Sequence, residues 1–368
     1  MSTSGLEGVV AATTRLSEVD GERGELVIAG FPVAELAGNA TFEETTWLLW
    51  HGDLPTRGEL DGFRRQLSAQ RQIPHAAVAL LRECANARVD AMDALRIAAG
   101  TISLESSDPA AIVAKFPTIV AAFWRLTNGK EPIEPRSDLD HAACFLYMLG
   151  GEQPNAERVR ALETYLNTVV DHGFNASTFT CRVIMSTGSD LVSAIVGAIG
   201  ALKGPLHGGA PGPALETVFE IGTAARAEEV LRSKLENGER LMGFGHRIYK
   251  VRDPRADVLG AAAEKLYRRA GDMSLYTLAR HVEATAIRLL EEYKPGRRLQ
   301  TNVEFYTALL LHGLGLEVPL FTPTFAIGRV SGWIAHGLEQ REANRLIRPR
   351  SEYTGRSDRK WTPIESRV

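Results

Sequence analysis

Apolar positions recur at helical spacing along almost the whole chain. Thr41 and Glu44 form a capping-box pattern ahead of Trp47, Leu48, Leu49 and Trp50, because a threonine and a glutamate three residues apart satisfy the orphan N–H groups at a helix start. Ser137-Asp138 precedes an apolar helix through Phe145, Leu146, Met148 and Leu149. Asp190 caps a helix over Leu191–Leu202, whose only hydroxyl is Ser193 and which carries Gly197 and Gly200. A helix apolar on every side is expected to be buried, and its small residues let neighbouring helices approach. Amphipathic helices are expected near Glu228–Glu236, Ala256–Arg269 and Leu278–Tyr293, followed by a surface turn at Pro295-Gly296-Arg297-Arg298. Only the stretch to about Pro32 reads differently, as short extended segments with a hairpin around Asp20-Gly21. The pattern predicts a mainly α protein.

From Gly212 to about Pro295 the helices are richer in Glu, Arg and Lys than those on either side. With 368 residues the chain is long for one core. A more exposed lobe inserted into a larger buried helical body is therefore expected, with the binding cleft between them. The net charge of -3 argues against general affinity for nucleic acid or anionic membrane. No uninterrupted apolar run approaches a membrane span, and the first residues lack the basic-then-apolar order of a secretory signal. Cys84, Cys144 and Cys181 form no CxxC pair. They read as small core residues of a reduced, cytoplasmic protein.

Four segments carry candidate chemistry. In Met242-Gly243-Phe244-Gly245-His246, followed by Lys250 and Arg255, a histidine sits behind a Gly-x-Gly turn and ahead of cations. Arg255 is fixed by Asp253-Pro254. Arginine grips a carboxylate with a planar fork, so the fragment is either a basic loop around a structural histidine or a carboxylate site with a polarising imidazole. His207 stands between Gly204-Pro205 and Gly208-Gly209, and the prolines that follow suggest a helix start. The positive end of that helix would disfavour imidazolium. His207 is then a turn-capping histidine or a neutral donor to a developing enolate oxygen. Glu304 interrupts the apolar stretch from Val303 to Leu311. It is a helix-surface carboxylate or a desolvated one whose raised pKa suits a base. The fourth segment, Asp171-His172-Gly173-Phe174-Asn175-Ala176-Ser177-Thr178, adds another histidine. Arg329 lies in apolar helix, where it needs an anionic partner, either a ligand or a protein carboxylate. There is no HExxH, no Cys/His pair at zinc spacing, no Walker-type loop and no GxGxxG after a strand. Neither a metal site nor a nucleotide fold is expected.

Taken together, GPLHGGA, MGFGHRIYKVRDPRA, NVEFY, GRVSGW and RPRSEYTG, with DHGFNAST, resemble the citrate synthase family in order and approximate spacing, over nearly the whole chain. The resemblance implies a multi-helical fold with a large domain (1–210 and 311–368) and a small one (211–310), in a homodimer with shared active sites. It implies condensation of acetyl-CoA, a co-substrate rather than a bound cofactor, with oxaloacetate to give citrate and CoA. His207 matches the histidine that stabilises the enol and His246 the one that polarises the ketone. His172 matches a substrate-binding histidine, and Arg255 and Arg329 match the carboxylate-holding arginines. Arg348 matches the arginine given by the partner subunit, and Lys250 a cation facing the CoA phosphates. Two features depart from the pattern. Glu304 stands where the family usually has aspartate, and Ala210-Pro211-Gly212-Pro213 follows the histidine where many relatives have Asn-Glu. A 2-methylcitrate synthase using propionyl-CoA and a non-catalytic ligand-sensing paralogue are the alternatives.

Overall fold

The computed structural model describes residues 4–6, 8–105, 108–208 and 211–367. Three short strands open it: β1 (Ser17–Asp20), β2 (Glu25–Ile28) and β3 (Phe31–Pro32), an antiparallel sheet in the order β1-β2-β3. The hairpin pairs Asp20 with Glu25, and the Asp20 carboxylate closes its turn by accepting from the N–H groups of Glu22 and Arg23.

Sixteen α-helices follow among the described residues: α1 (Val33–Asn39), α2 (Phe42–His51), α3 (Arg57–Ala69), α4 (His75–Asn86), α5 (Ala91–Ala99), α6 (Pro109–Thr127), α7 (His141–Gly150) and α8 (Ala156–Val169) in the first half. The second half adds α9 (Ala176–Ser186), α10 (Leu191–Leu202), α11 (Pro211–Ile221), α12 (Ala227–Glu236), α13 (Pro254–Ala270), α14 (Ser274–Tyr293), α15 (Val303–Gly313) and α16 (Phe321–Glu342). The mainly α expectation holds.

The capping signals mostly act as read. Thr41 and Glu44 close a full capping box on α2, and Asp190 accepts from the N–H of Ser193 at the start of α10. Helix α7 differs. It begins at His141 behind Asp140, whose side chain makes no cap hydrogen bond, while Asp138 is drawn into an ion pair with Arg136. Helix α10 is not buried all round either: Ser193 and Gly200 are exposed in the single chain. Its Gly197 does permit the close approach, since a Cβ there would stand 2.3 Å from Ile184 Cδ1 on α9.

The centre is built from α6, α8 and α16. Helix α6 is long and apolar enough to cross a bilayer, but it is largely enclosed by the protein. Lys115, within it, is neutralised by Glu105 at 2.8 Å. All three cysteines are free and buried. Helix α16 crosses α8 at Gly332, where a Cβ would meet Val170 O at 2.2 Å. That approach carries Arg329 onto the end of α8, where Nε donates to Val169 O at 2.6 Å. It also carries His336 onto Asp171, 3.2 Å away.

Candidate active site

The Gly-x-Gly turn before His246 has a conformational reason. Gly243 and Gly245 have φ of 90° and 82°, a region that residues with a Cβ rarely adopt. In that shape the turn pairs with the segment ahead of α15: Gly245 N–H donates to Gln300 O at 2.7 Å and Asn302 N–H to Gly243 O at 3.0 Å. Asn302 then caps α15 by accepting from the N–H of Glu304 and ties back to Gly245 O through its side-chain amide. The loop bearing His246 and the helix start bearing Glu304 are thus one unit.

Arg255 lies in the first turn of α13, behind the Asp253 cap and the N1 proline that favours helix initiation. Asp253 grips its guanidinium with both oxygens, at 3.0 Å and 2.7 Å. Burial would raise the Asp253 pKa, but the Arg255 charge overrides it and holds the carboxylate below its usual range.

His246 Nδ1 accepts from the backbone N–H groups of Ile248 and Tyr249, each at 3.1 Å. In the neutral ring the proton is therefore on Nε2. Burial, then Arg255, lowers the His246 pKa to about 4, with Asp253 opposing. Nε2 lies 3.5 Å from Arg255 Nη2. Both atoms are donors, a geometry suited to one shared acceptor. His172 packs edge-on to His246 with ring centroids 5.7 Å apart. Burial, then Arg255, Arg329 and His246, holds it neutral, well below its ordinary pKa.

His207 belongs to the same neighbourhood through Ser177 on α9. The N–H of Ser177 donates to His207 Nε2 at 3.4 Å, and Ser177 Oγ is 2.9 Å from the same nitrogen. A backbone N–H cannot accept, so Nε2 is the acceptor and Nδ1 carries the proton. Trp333 Nε1 on α16 donates to Ser177 Oγ at 3.1 Å and anchors the arrangement. The His207 pKa falls to about 4 through burial, then Arg329. Of the residues after His207, Gly209 and Ala210 lie outside the described residues.

Burial raises Glu304 to about 7; Arg255 and Arg329 oppose the shift and Asp253 adds to it. Arg329 is fully enclosed and lowered to about 10 by burial. Among the described residues it has no ion-pair partner, and only Nε is hydrogen-bonded. The cleft thus gathers His172, His207, His246, Arg255, Glu304 and Arg329. Lys250 is exposed beside it, its N–H donating to Gly21 O at 2.8 Å. Arg348 is elsewhere: exposed after α16, it lines a recess of about 840 Å³ with Arg15, Arg182 and Glu339. Sequence reading missed Tyr249 and Ser177, whose roles appear only when distant segments meet.

Neutral imidazoles, enclosed arginines and a carboxyl titrating near neutrality thus stand together. The model of the citrate synthase C-terminal domain matches residues 5–350, and the chain belongs to the citrate synthase family, a family of transferases. Citrate synthase of Haloferax volcanii is 42% identical, covering 99% of this chain and 98% of its own. A 2-methylcitrate synthase of Shewanella oneidensis is 39% identical, covering 100% and 98%. Among solved structures, Pyrobaculum aerophilum citrate synthase superposes with a TM-score of 0.91 at 38% identity, over 99% of this chain and 95% of that one. Thermoplasma acidophilum citrate synthase, in ternary complex with carboxymethyl coenzyme A and oxaloacetate, gives 0.89 at 32%, over 99% and 98%.

Proposed function

We propose that the protein condenses acetyl-CoA with oxaloacetate to give citrate and free CoA. The observation that carries this is the pair of donors, His246 Nε2 and Arg255 Nη2, held 3.5 Å apart. A 2-oxo acid supplies a ketone oxygen to the first and a carboxylate to the second. Arg329 and His172 hold the remaining carboxylate oxygens. Glu304 removes a proton from the acyl methyl, and a group titrating near 7 is matched to that task at neutral pH. His207 donates from Nδ1 to the forming enol oxygen, since a neutral imidazole stabilises it without first losing a charge. The enol carbon attacks the polarised ketone, and water then cleaves the citryl thioester to release citrate and CoA.

The chain divides at this cleft, with 211–310 as the smaller lobe on a body of 1–210 and 311–368. Lys250 faces the CoA phosphates. The active unit is a homodimer in the cytoplasm. The small-residue face of α10, exposed at Ser193 and Gly200, meets the partner, and Arg348 reaches the partner's cleft. A second reading, condensation of propionyl-CoA to 2-methylcitrate, draws on the 39% identity to a 2-methylcitrate synthase. Release of free thiol from oxaloacetate with each acyl-CoA decides among the readings. A higher kcat/KM with acetyl-CoA supports the first and with propionyl-CoA the second; no thiol with either leaves a non-catalytic ligand-binding role.

A further inference from the structure

Tyr249 is only 2% exposed, yet it carries a hydroxyl. Buried hydroxyls are rarely left without a partner, and this one is 3.1 Å from His172 Nε2. Tyr249 also touches two other residues of the cleft. Its ring centroid is 4.8 Å from that of His246, and the Arg255 guanidinium carbon lies 5.9 Å from its ring centre. Its backbone N–H is one of the two that place the His246 proton on Nε2.

The direction of the His172 contact follows from counting protons. Burial pushes the Tyr249 phenol above its ordinary pKa, so it keeps its hydrogen. Among the described residues the hydroxyl has no other hydrogen-bond partner. If it accepted from His172, its own hydrogen would be buried and unpaired, which costs more than a hydrogen bond usually contributes. It therefore donates, Nε2 accepts, and the His172 proton sits on Nδ1. We infer that Tyr249 is a positioning residue which fixes the tautomer and ring orientation of His172, so that a single N–H from Nδ1 is presented to the oxaloacetate carboxylate. The inference rests on reading this cleft as the oxaloacetate site. Arg255, Arg329 and His246 are the charged or titratable groups acting on His172. All three disfavour its protonation, so the ring binds an anion as a neutral donor and its tautomer decides whether it can.

Two measurements test this. The first needs no substrate: nitrogen-15 spectra of histidine-labelled protein, with His172 assigned through His172→Gln, should show Nδ1 protonated and Nε2 bare. The opposite tautomer overturns the inference while leaving the proposed reaction standing. The second is Tyr249→Phe, which keeps the ring and backbone and removes one oxygen. KM for oxaloacetate should rise about fivefold, as loss of one neutral hydrogen bond implies, with kcat and KM for the acyl-CoA within twofold. The His172 tautomers should become mixed. The acid limb of kcat/KM for oxaloacetate should move to higher pH, because the donated bond that favoured the neutral ring is gone. An unchanged KM and an unchanged tautomer in the variant would leave Tyr249 as packing only. If the parent turns over neither acyl-CoA, the proposed reaction fails and the tautomer experiment still decides the contact.

Discussion

Asp253 and Arg255 are locked side by side, one carboxylate oxygen 3.0 Å from Nε and the other 2.7 Å from Nη2. The second oxygen also accepts from the N–H of Val303 at 3.2 Å. One buried carboxylate therefore sets the Arg255 fork and the first turn of the helix that carries Glu304. Asp253→Asn keeps the shape and removes the charge. Losing one partner of a buried pair costs on the order of 3–5 kcal/mol, so denaturant unfolding should show a loss of that order. Oxaloacetate affinity, measured by calorimetry, should fall with it. A variant of parental stability and affinity would mean that Arg255 is held by something else.

The hairpin tip presses on the His246 loop. A Cβ on Gly21 would stand 2.3 Å from Ile248 O, backbone that cannot turn aside. Gly21→Ala should push the loop and spoil the donor pair, where a misplacement of about 1 Å costs on the order of 10²-fold in rate. We expect kcat/KM to fall at least tenfold with the helical circular dichroism unchanged. Retention of parental kcat/KM would show that the loop does not need the hairpin.

How far the chain announced this arrangement depends on the range of each interaction. The helices were legible because caps and periodicity are local, as Thr41 with Glu44 and Asp190 with Ser193 show. The apolar helix after Ser137-Asp138 is there too, but its start at His141 is not marked by a side-chain cap, because Asp138 is engaged by Arg136. The raised Glu304 pKa agrees with one of the two readings its apolar neighbours allowed. The tautomers were not legible. That of His207 depends on Ser177, thirty positions earlier, and that of His172 on Tyr249, seventy-seven positions later. Nor does the sequence mark Gly21 as the point where the hairpin meets the loop.

If Arg348 serves the partner's cleft, two dead variants should complement. Arg348→Ala and His246→Ala homodimers, mixed and allowed to exchange subunits, form one hybrid site free of both substitutions. Activity should rise toward half of the parent per hybrid, a quarter for an equal mixture at full exchange. Mixtures that stay dead, with exchange verified by mass spectrometry, would place each site within one chain.

Glu304 should show itself in stability as well as rate. Its folded pKa of about 7 lies above the ordinary 4.5. Below the lower value both states are protonated and the shift contributes nothing. As pH rises from there toward 7, the unfolded chain releases the proton while the folded one keeps it, so a penalty on the native state accumulates and then levels off. Glu304→Gln removes that penalty. The variant should match the parent near pH 4 and be more stable above pH 7 by on the order of 1–3 kcal/mol, measured as denaturant midpoints across the range. In catalysis the sign reverses. The parent's kcat should climb through about pH 7 as the carboxylate forms, whereas Glu304→Gln should lose on the order of 10²–10⁴ in rate with oxaloacetate affinity little changed. Glu304→Asp should fall between them, since its carboxylate is drawn back by one methylene. Deuterium exchange of the acetyl-CoA methyl, with a non-reacting oxaloacetate analogue bound, isolates the proton transfer. Exchange by Glu304→Gln at the parental rate would assign the base to another residue.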